Sequence, residues 1–254
     1  MTIPRLYLPR ILEKGDLCAA AADQARYLKT VLRMRAGDPV LIFNGTGREY
    51  EAIIRRQTAE GAELEITGSR LLPAAGIHVT LCQAVPKAEK MDGIIRHATE
   101  LGAARIIPFL AERSVPRWQP EQFSCKRERW RKIALEASRQ CVRPDVTEIG
   151  EIVTFERMLS ALPERGLKLI PWEEEATRGI REVLRDPSRN GTKEFTVAIG
   201  PEGGFSVEEI EKARRAGFLS VSLGKRVLRV ETASLAVLAI LQYETDSRET
   251  GEGR

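Results

Sequence analysis

Histidine is almost absent from this chain of 254 residues: there are two, His78 and His97, beside only four cysteines, Cys18, Cys82, Cys125 and Cys141. The cysteines lie far apart and form no CxxC pair, so no metal site is expected. They imply no disulfide framework either, and the expectation is a reduced cytoplasmic protein with buried thiols. No apolar run reaches the ~20 residues that a membrane span needs. The first residues, MTIPRLYLPR, lack a signal-peptide pattern. A large excess of one charge is missing too. Forty Lys+Arg against 36 Asp+Glu leave +4, too mild to imply a nucleic-acid partner by itself. What basic charge there is lies locally: from Glu112 to Arg143, nine basic residues oppose four acids, a balance of +5. At 43% hydrophobic and 30% charged, the composition is that of an ordinary globular protein long enough for two domains.

Residues 1–71 read as a small β domain with one helix. Val40-Leu41-Ile42-Phe43 is a short apolar strand, and Asn44-Gly45-Thr46-Gly47 is a hairpin turn. Glu49 to Arg56 alternates, placing Tyr50, Ala52 and Ile54 on one face, and Leu64 and Ile66 continue the pattern in a third strand. Between Asp23 and Met34, Tyr27, Leu28, Val31 and Leu32 recur at helical spacing, with Asp23 as N-cap. Strands and turns this close together suggest a small barrel.

Leu71 to Gly76 breaks that pattern and bounds a second domain, residues 72–245, with a flexible polar tail over 246–254. Strands are predicted at Ile77–Val85, Arg105–Leu110, Leu167–Trp172, Glu194–Gly200 and Leu219–Leu223. Helices are predicted at Ala88–Leu101, Gln119–Val142, Phe155–Leu162, Val207–Ala216 and Glu231–Tyr243. Runs such as Phe195 to Ile199 are almost continuously apolar, as in a parallel sheet covered on both faces, so the fold class is α/β. The last helix, Ala233 to Leu241, is apolar all round and must be covered on every side. That means deep burial and a subunit interface, and a homodimer is expected.

Gly200-Pro201-Glu202-Gly203-Gly204 leaves an apolar strand and enters a helix opened by Ser206, with Glu209 completing a capping box. Glycine there lets backbone N–H groups approach a ligand, although a tight strand-to-helix turn accounts for the same residues. The run is neither the P-loop nor the dinucleotide fingerprint, which argues against phosphate cradling. A second strand-to-helix loop, Leu223 to Ala233, carries Arg229 and Glu231. Glu231 suits the positive end of a helix dipole as well as it suits catalysis. Arg229, between two apolar neighbours, is either a salt-bridge partner or a functional cation. In the helix before Pro144, Trp130, Ile133, Ala134, Ala137 and Cys141 form a buried stripe. Arg129, Lys132, Glu136, Arg139 and Arg143 recur on its other faces, with Gln140 beside them. They form either a solvated amphipathic surface or a basic ridge that touches RNA phosphates and offers Gln140 and Arg143 to a base.

In chain order the motifs are KAEKMDGIIRHATELG, ERSVPRW, RWRKIALEASRQCVR, IGPEGGFSVEEI and LGKRVLRVETA. The series resembles the 16S rRNA uridine-N3 methyltransferases, a SPOUT family, and RYLKTVLRMRAGD is similar to that family's N-terminal barrel. GPEGG with LRxETA at this spacing is specific where neither is alone. The resemblance implies a PUA-like RNA-binding β-barrel followed by a trefoil-knotted SPOUT α/β methyltransferase domain that dimerises; periodicity could not have indicated a knot. It implies S-adenosyl-L-methionine (SAM) as cofactor, and as partner the 16S rRNA of the 30S subunit, methylated at a uridine near its 3′ end, with no membrane and no metal. SAM would sit in three loops: Pro171, Trp172 and Glu173; Gly200, Glu202, Gly203 and Gly204; and Leu223, Gly224, Val227, Leu228, Thr232 and Ala233. Arg143 or Arg229 would stabilise charge developing on the uracil oxygens, as an oxyanion hole does. Gln140 would orient the base edge, and Glu231 or Glu136 would accept the N3 proton. Arg33, Arg113, Arg129, Lys132 and Arg139 would meet RNA.

Overall fold

A computed structural model describes residues 3–58, 61–73, 76–87, 89–115 and 120–249. Ala88 and Gln119, expected as helix starts, lie outside the described residues. So do Ala74 and Ala75 of the boundary segment, Pro116-Arg117-Trp118 of ERSVPRW, and residues 250–254 of the expected tail. The chain divides into two compact units: Met1–Ala74 with Ser138–Val146, and Ala75–Ala137 with Thr147–Arg254.

In the first unit, β1 (Arg5–Tyr7), β2 (Leu17–Ala20), β3 (Pro39–Phe43), β4 (Arg48–Gln57) and β5 (Ala62–Leu71) form a five-stranded sheet in the order β1-β3-β4-β5-β2. β1 is parallel to β3 and the other pairs are antiparallel. The path ends at β1 and β2, so the expected barrel is an open, mixed half-barrel. Gly45 and Gly47 take φ of 81° and 88°, a region that glycine enters without a Cβ penalty, and this turns β3 into β4. Tyr50, Ala52, Ile54, Leu64 and Ile66 are buried, as their alternation requires.

The expected helix from Asp23 to Met34 is instead α1 (Ala22–Arg26) followed by a π-helical turn, Tyr27–Val31. Ala21, not Asp23, is the N-cap, and Arg33 ends the turn at φ 54°. Leu28 is buried, while Val31 and Leu32 are exposed, so the apolar spacing does not become one buried face. Segment 138–146 is fastened from within this unit. Buried Arg5 donates through Nη1 to Ser138 O at 3.3 Å and through Nη2 to Arg143 O at 2.9 Å. Its Nε meets the fully buried Glu49 at 2.7 Å.

The second unit holds β6 (His78–Ala84), β7 (Ala103–Leu110), β8 (Glu148–Ile149), β9 (Val153–Thr154), β10 (Leu167–Pro171), β11 (Glu194–Ile199) and β12 (Phe218–Val221). The sheet runs β12-β10-β11-β6-β7-β8, with β9 also on β7, and every pairing is parallel. Its helices are α2 (Lys90–Glu100), α3 (Pro120–Gln140), α4 (Phe155–Ser160), α5 (Ile180–Leu184), α6 (Val207–Arg215) and α7 (Val230–Glu249), with the last residues of α3 grouped in the first unit. Val79, Leu81, Val197 and Ile199 pack on one face of the sheet with Ile94, Trp130, Val183 and Leu238 of the helices. Ala84, Phe109 and Ala198 pack on the other with Phe155, Met158 and Ile210. This is the two-faced burial that the continuous apolar strands require.

Two more expectations are corrected. Residues 246–249 continue α7 rather than start a tail. Cys125 is exposed and Cys141 half-buried, so only Cys18 and Cys82 are buried thiols, and burial pushes Cys82 up to about 12. Within one chain the face of α7 bearing Leu235, Ala236 and Ala239 lines an apolar groove with Gly93, Ile94 and Leu101 of the α2 side, while Val237, Leu238 and Leu241 are buried. Among the described residues no helix is long and apolar enough to cross a membrane.

Candidate functional site

β12, β10 and β11 are neighbours, and the loops that leave their C-terminal ends converge on one pocket. Ligands of open parallel sheets lie at that edge because helix N-termini and free backbone groups collect there. Pro171, Trp172 and Glu173 follow β10; Gly200, Pro201, Gly204 and Phe205 follow β11; Ser222 to Leu228 follow β12, and Val230 and Ala233 of α7 complete the wall. The cleft between them is open to solvent on one side.

Local chemistry fixes these loops. Gly204 sits at φ 68° and donates its N–H to Pro201 O at 2.9 Å. A Cβ at 204 would lie 2.8 Å from Glu173 Oε1, so only glycine leaves that carboxylate in place. Ser206 caps α6 as its sequence demands: Glu209 N–H donates to Ser206 Oγ at 3.3 Å, and Ser206 N–H to Glu209 Oε2 at 3.0 Å.

Behind the Trp172 loop, Glu175 accepts Ser220 Oγ–H, with Thr177 Oγ1–H at 2.6 Å and Thr177 N–H at 3.0 Å. Arg214 donates to Ser220 Oγ at 3.0 Å and stands 5.6 Å from the centre of the Trp172 ring. The hydrogen bonds from Ser220 and Thr177 pull the Glu175 carboxyl down from its ordinary 4.5 to about 2. The carboxylate's contribution to stability is therefore complete above pH 4.5 and is lost as pH falls from there through 2. In Ser220→Ala the folded carboxyl titrates at a higher pH, so the loss is smaller and complete sooner, and an NMR titration of the Glu175 carboxyl reads that shift directly. A wild-type midpoint at the ordinary 4.5 would show that the clamp does not form.

Of the expected cofactor residues, Pro171, Trp172, Glu173, Gly200, Gly204, Leu223, Gly224, Val227, Leu228 and Ala233 line the pocket. Glu202, Gly203 and Thr232 do not. Glu202 accepts the Lys87 N–H at 3.2 Å and pairs with Lys90 Nζ at 3.1 Å. Gly203 backs onto Arg113, whose Nη1 donates to its carbonyl at 2.9 Å. Thr232 faces the groove between α2 and α7. Ile199, Phe205 and Ser222, which motif reading missed, also line the pocket. Their only signal was adjacency to the glycine loops.

The candidates for chemistry divide between the two units. Arg229 is exposed between the lining residues Leu228 and Val230, and has no ion pair among the described residues. Glu231 lies 3.4 Å from Lys90, and its buried Oε2 makes no hydrogen bond. Gln140 and Arg143 belong to the first unit. Arg143 grips Asp145 through Nε at 3.1 Å and Nη2 at 2.6 Å, and the preceding Val142 has φ 62°. Arg139 lies over the Tyr27 ring at 5.0 Å, and Arg129 donates from Nε to Asp92 at 2.9 Å. Arg33, Lys132 and Glu136 are exposed.

The RNA methyltransferase domain family matches residues 73–242, and the RNA methyltransferase PUA domain matches residues 21–67. Ribosomal RNA small subunit methyltransferase E of Rickettsia conorii is 31% identical over 242 residues, covering 94% of this chain and 95% of the relative. The chain belongs to the ribosomal RNA small subunit methyltransferase E family. A family member from Neisseria gonorrhoeae, solved bound to S-adenosyl methionine, is 30% identical with a TM-score of 0.86, covering 95% of this chain and 98% of that one. A methyltransferase from Legionella pneumophila, solved in complex with the bound cofactor SAM, is 31% identical with a TM-score of 0.85, covering 96% and 98%. The first unit contains the PUA match of this family, and the parallel sheet lies in the methyltransferase match.

Proposed function

We propose that this chain transfers a methyl group from SAM to N3 of a uridine in the decoding region near the 3′ end of 16S rRNA, acting in the cytoplasm on the assembled 30S subunit. The observation that carries the reading is the pocket at the ends of β10, β11 and β12, lined by loops of the kind the family motifs single out. Its residues fit SAM. Ile199, Phe205, Leu223 and Leu228 offer apolar surface to an adenine ring. Glu173 offers a carboxylate to an ammonium group, beside a glycine whose Cβ would displace it. With the SPOUT class comes its trefoil knot. The uncovered groove of α2 and α7 supports a homodimer, a second copy burying Leu235, Ala236 and Ala239.

SAM, when bound, supplies a methyl group made electrophilic by its sulfonium, so this chain's work is positioning and charge stabilisation. Uracil N3 must lose its proton before or during attack, and negative charge develops on O2 and O4. We assign the stabilising cation to Arg229, which is exposed beside the pocket wall without a carboxylate partner among the described residues. Arg143, oriented by Asp145, and Gln140 read the RNA from the first unit. The N3 proton passes to Glu231 or Glu136 or to water, and Glu231 stands 3.4 Å from Lys90 Nζ. N3 lies on the pairing edge, so the target base is unpaired when it reacts.

The test is methyl transfer from labelled SAM to unmodified 30S subunits and to naked 16S rRNA, mapped by reverse-transcription stops. One new stop near the 3′ end, with 30S subunits, is expected. SAM binding without label in either substrate would overturn the substrate, and no SAM binding would overturn the reading entirely. Arg229→Ala lowers kcat at least about tenfold, roughly 1.4 kcal/mol, with SAM affinity within about threefold. Equal turnover removes Arg229 from the mechanism.

A further inference from the structure

Lys90 is the first residue of α2, and two carboxylates from distant parts of the chain share its ammonium. Nζ lies 3.1 Å from Glu202 Oε1 and 3.4 Å from Glu231 Oε2. Glu202 sits in the loop from β11 to α6, between the lining residues Pro201 and Gly204. Glu231 opens α7, between the lining residues Val230 and Ala233. Both carboxylates therefore belong to segments that wall the pocket, and Lys90 joins the two segments.

We propose that Lys90 is a positioning residue for the methyl-donor pocket: one ammonium shared by Glu202 and Glu231 holds the β11–α6 loop and the start of α7 at the separation that SAM requires. The proposal rests on reading that pocket as the SAM site. Its physical basis is the balance of charge. Without the cation, two carboxylates, 23% and 33% exposed in their side chains, confront each other where water screens them only in part, and repel. Glu231 Oε2 is buried and has no hydrogen bond, so Lys90 is its compensation. The hydrogen bond to Glu202 raises Lys90 above its ordinary value, so the ammonium stays charged. Burial pushes Glu202 up, yet its backbone hydrogen bonds and Lys90 leave it below the ordinary carboxylate value. The other charges nearby are engaged or shared by every variant. Glu89, the N-cap of α2, and Asp92 within it pair with Arg129 of α3. The Lys87 side chain is exposed, and His97 lines the same groove as Lys90.

Calorimetric titration of SAM into the full chain between pH 5 and 8 tests this with wild type, Lys90→Met, Lys90→Arg and the double variant Lys90→Met/Glu202→Gln. At pH 8 Lys90→Met binds SAM about tenfold more weakly than wild type, and the deficit shrinks as pH falls and one of the facing carboxylates takes up a proton. Lys90→Arg, which keeps the charge, stays within about threefold, and the double variant recovers most of the loss because one like charge is gone. His97 is common to all four proteins, so differences between them isolate the carboxylates. A deficit equal at every pH and unrelieved by Glu202→Gln would mean a merely structural lysine and overturn the proposal; so would wild-type affinity in Lys90→Met at pH 8. Lys90→Gln repeats the comparison should the methionine variant fail to melt cooperatively. Failure of wild type to bind SAM would instead overturn the pocket reading and this inference with it.

Discussion

Replacing Glu49 by alanine lowers the stability of the chain by about 3–5 kcal/mol in urea denaturation followed by circular dichroism, the cost of stranding a buried charge. Glu49 is fully buried, and its principal partner Arg5 is 5% exposed in its side chain. Arg70 also reaches the carboxylate, at 2.6 Å, but it is 58% exposed and water can replace what it loses. Arg5 has no such recourse. Its guanidinium lies 4.3 Å from the centre of the Phe43 ring, and its remaining donors are committed to Ser138 O and Arg143 O. Removing Glu49 therefore leaves an uncompensated cation inside the half-barrel. The double variant Arg5→Met/Glu49→Leu removes both charges and costs less than Glu49→Ala. What it still lacks reports the two carbonyls deprived of a donor, about 1–3 kcal/mol. A loss below about 1 kcal/mol for Glu49→Ala would show that this pair does not hold the first unit together.

Those contacts also mark where sequence reading ended. The parallel sheet was legible because strands buried on both faces become continuous apolar runs, as Phe195 to Ile199 does. β1 and β2 were not, since three and four residues are too few to display a period. The grouping of Ser138–Val146 with the first unit depends on Arg5 bonds that span 133 and 138 residues, and no local pattern encodes them. Tyr27, Leu28, Val31 and Leu32 have helical spacing, but apolar spacing cannot distinguish an α turn from the wider π turn that forms.

The pocket was more legible than its supports. Gly204 and Gly224 adopt φ of 68° and 114°, so the backbone needs there were written as glycine. Charged residues within the same motifs carried no such mark. Glu202, between glycines, reads as a ligand contact, yet it reaches back 115 residues to the Lys87 N–H and on to Lys90. Arg113 and Arg129 read as free cations on a basic ridge, whereas one holds Gly203 O and the other Asp92. A charge in a sequence shows no partner, and these partners come from other elements of the fold. The local excess of basic residues therefore overstates the number of cations available to RNA.

Gly204→Ala weakens SAM binding by about 30- to 100-fold, corresponding to roughly 2–3 kcal/mol. Two costs combine. An alanine held in the left-handed region loses about 1–2 kcal/mol to the clash of its Cβ with the backbone. The same Cβ would lie 2.8 Å from Glu173 Oε1, so the carboxylate that faces the pocket has to move as well. The free variant escapes both by relaxing the turn that Gly204 N–H makes to Pro201 O, and binding has to restore it. The loss therefore falls on affinity rather than on the melting of the chain. A double-mutant cycle separates the costs: in a Glu173→Ala background there is no carboxylate to displace, so Gly204→Ala costs only the backbone part, about five- to thirtyfold. An equal penalty in both backgrounds would clear Glu173 of any steric part, and a Kd within about threefold of wild type for Gly204→Ala alone would mean that SAM does not depend on this turn.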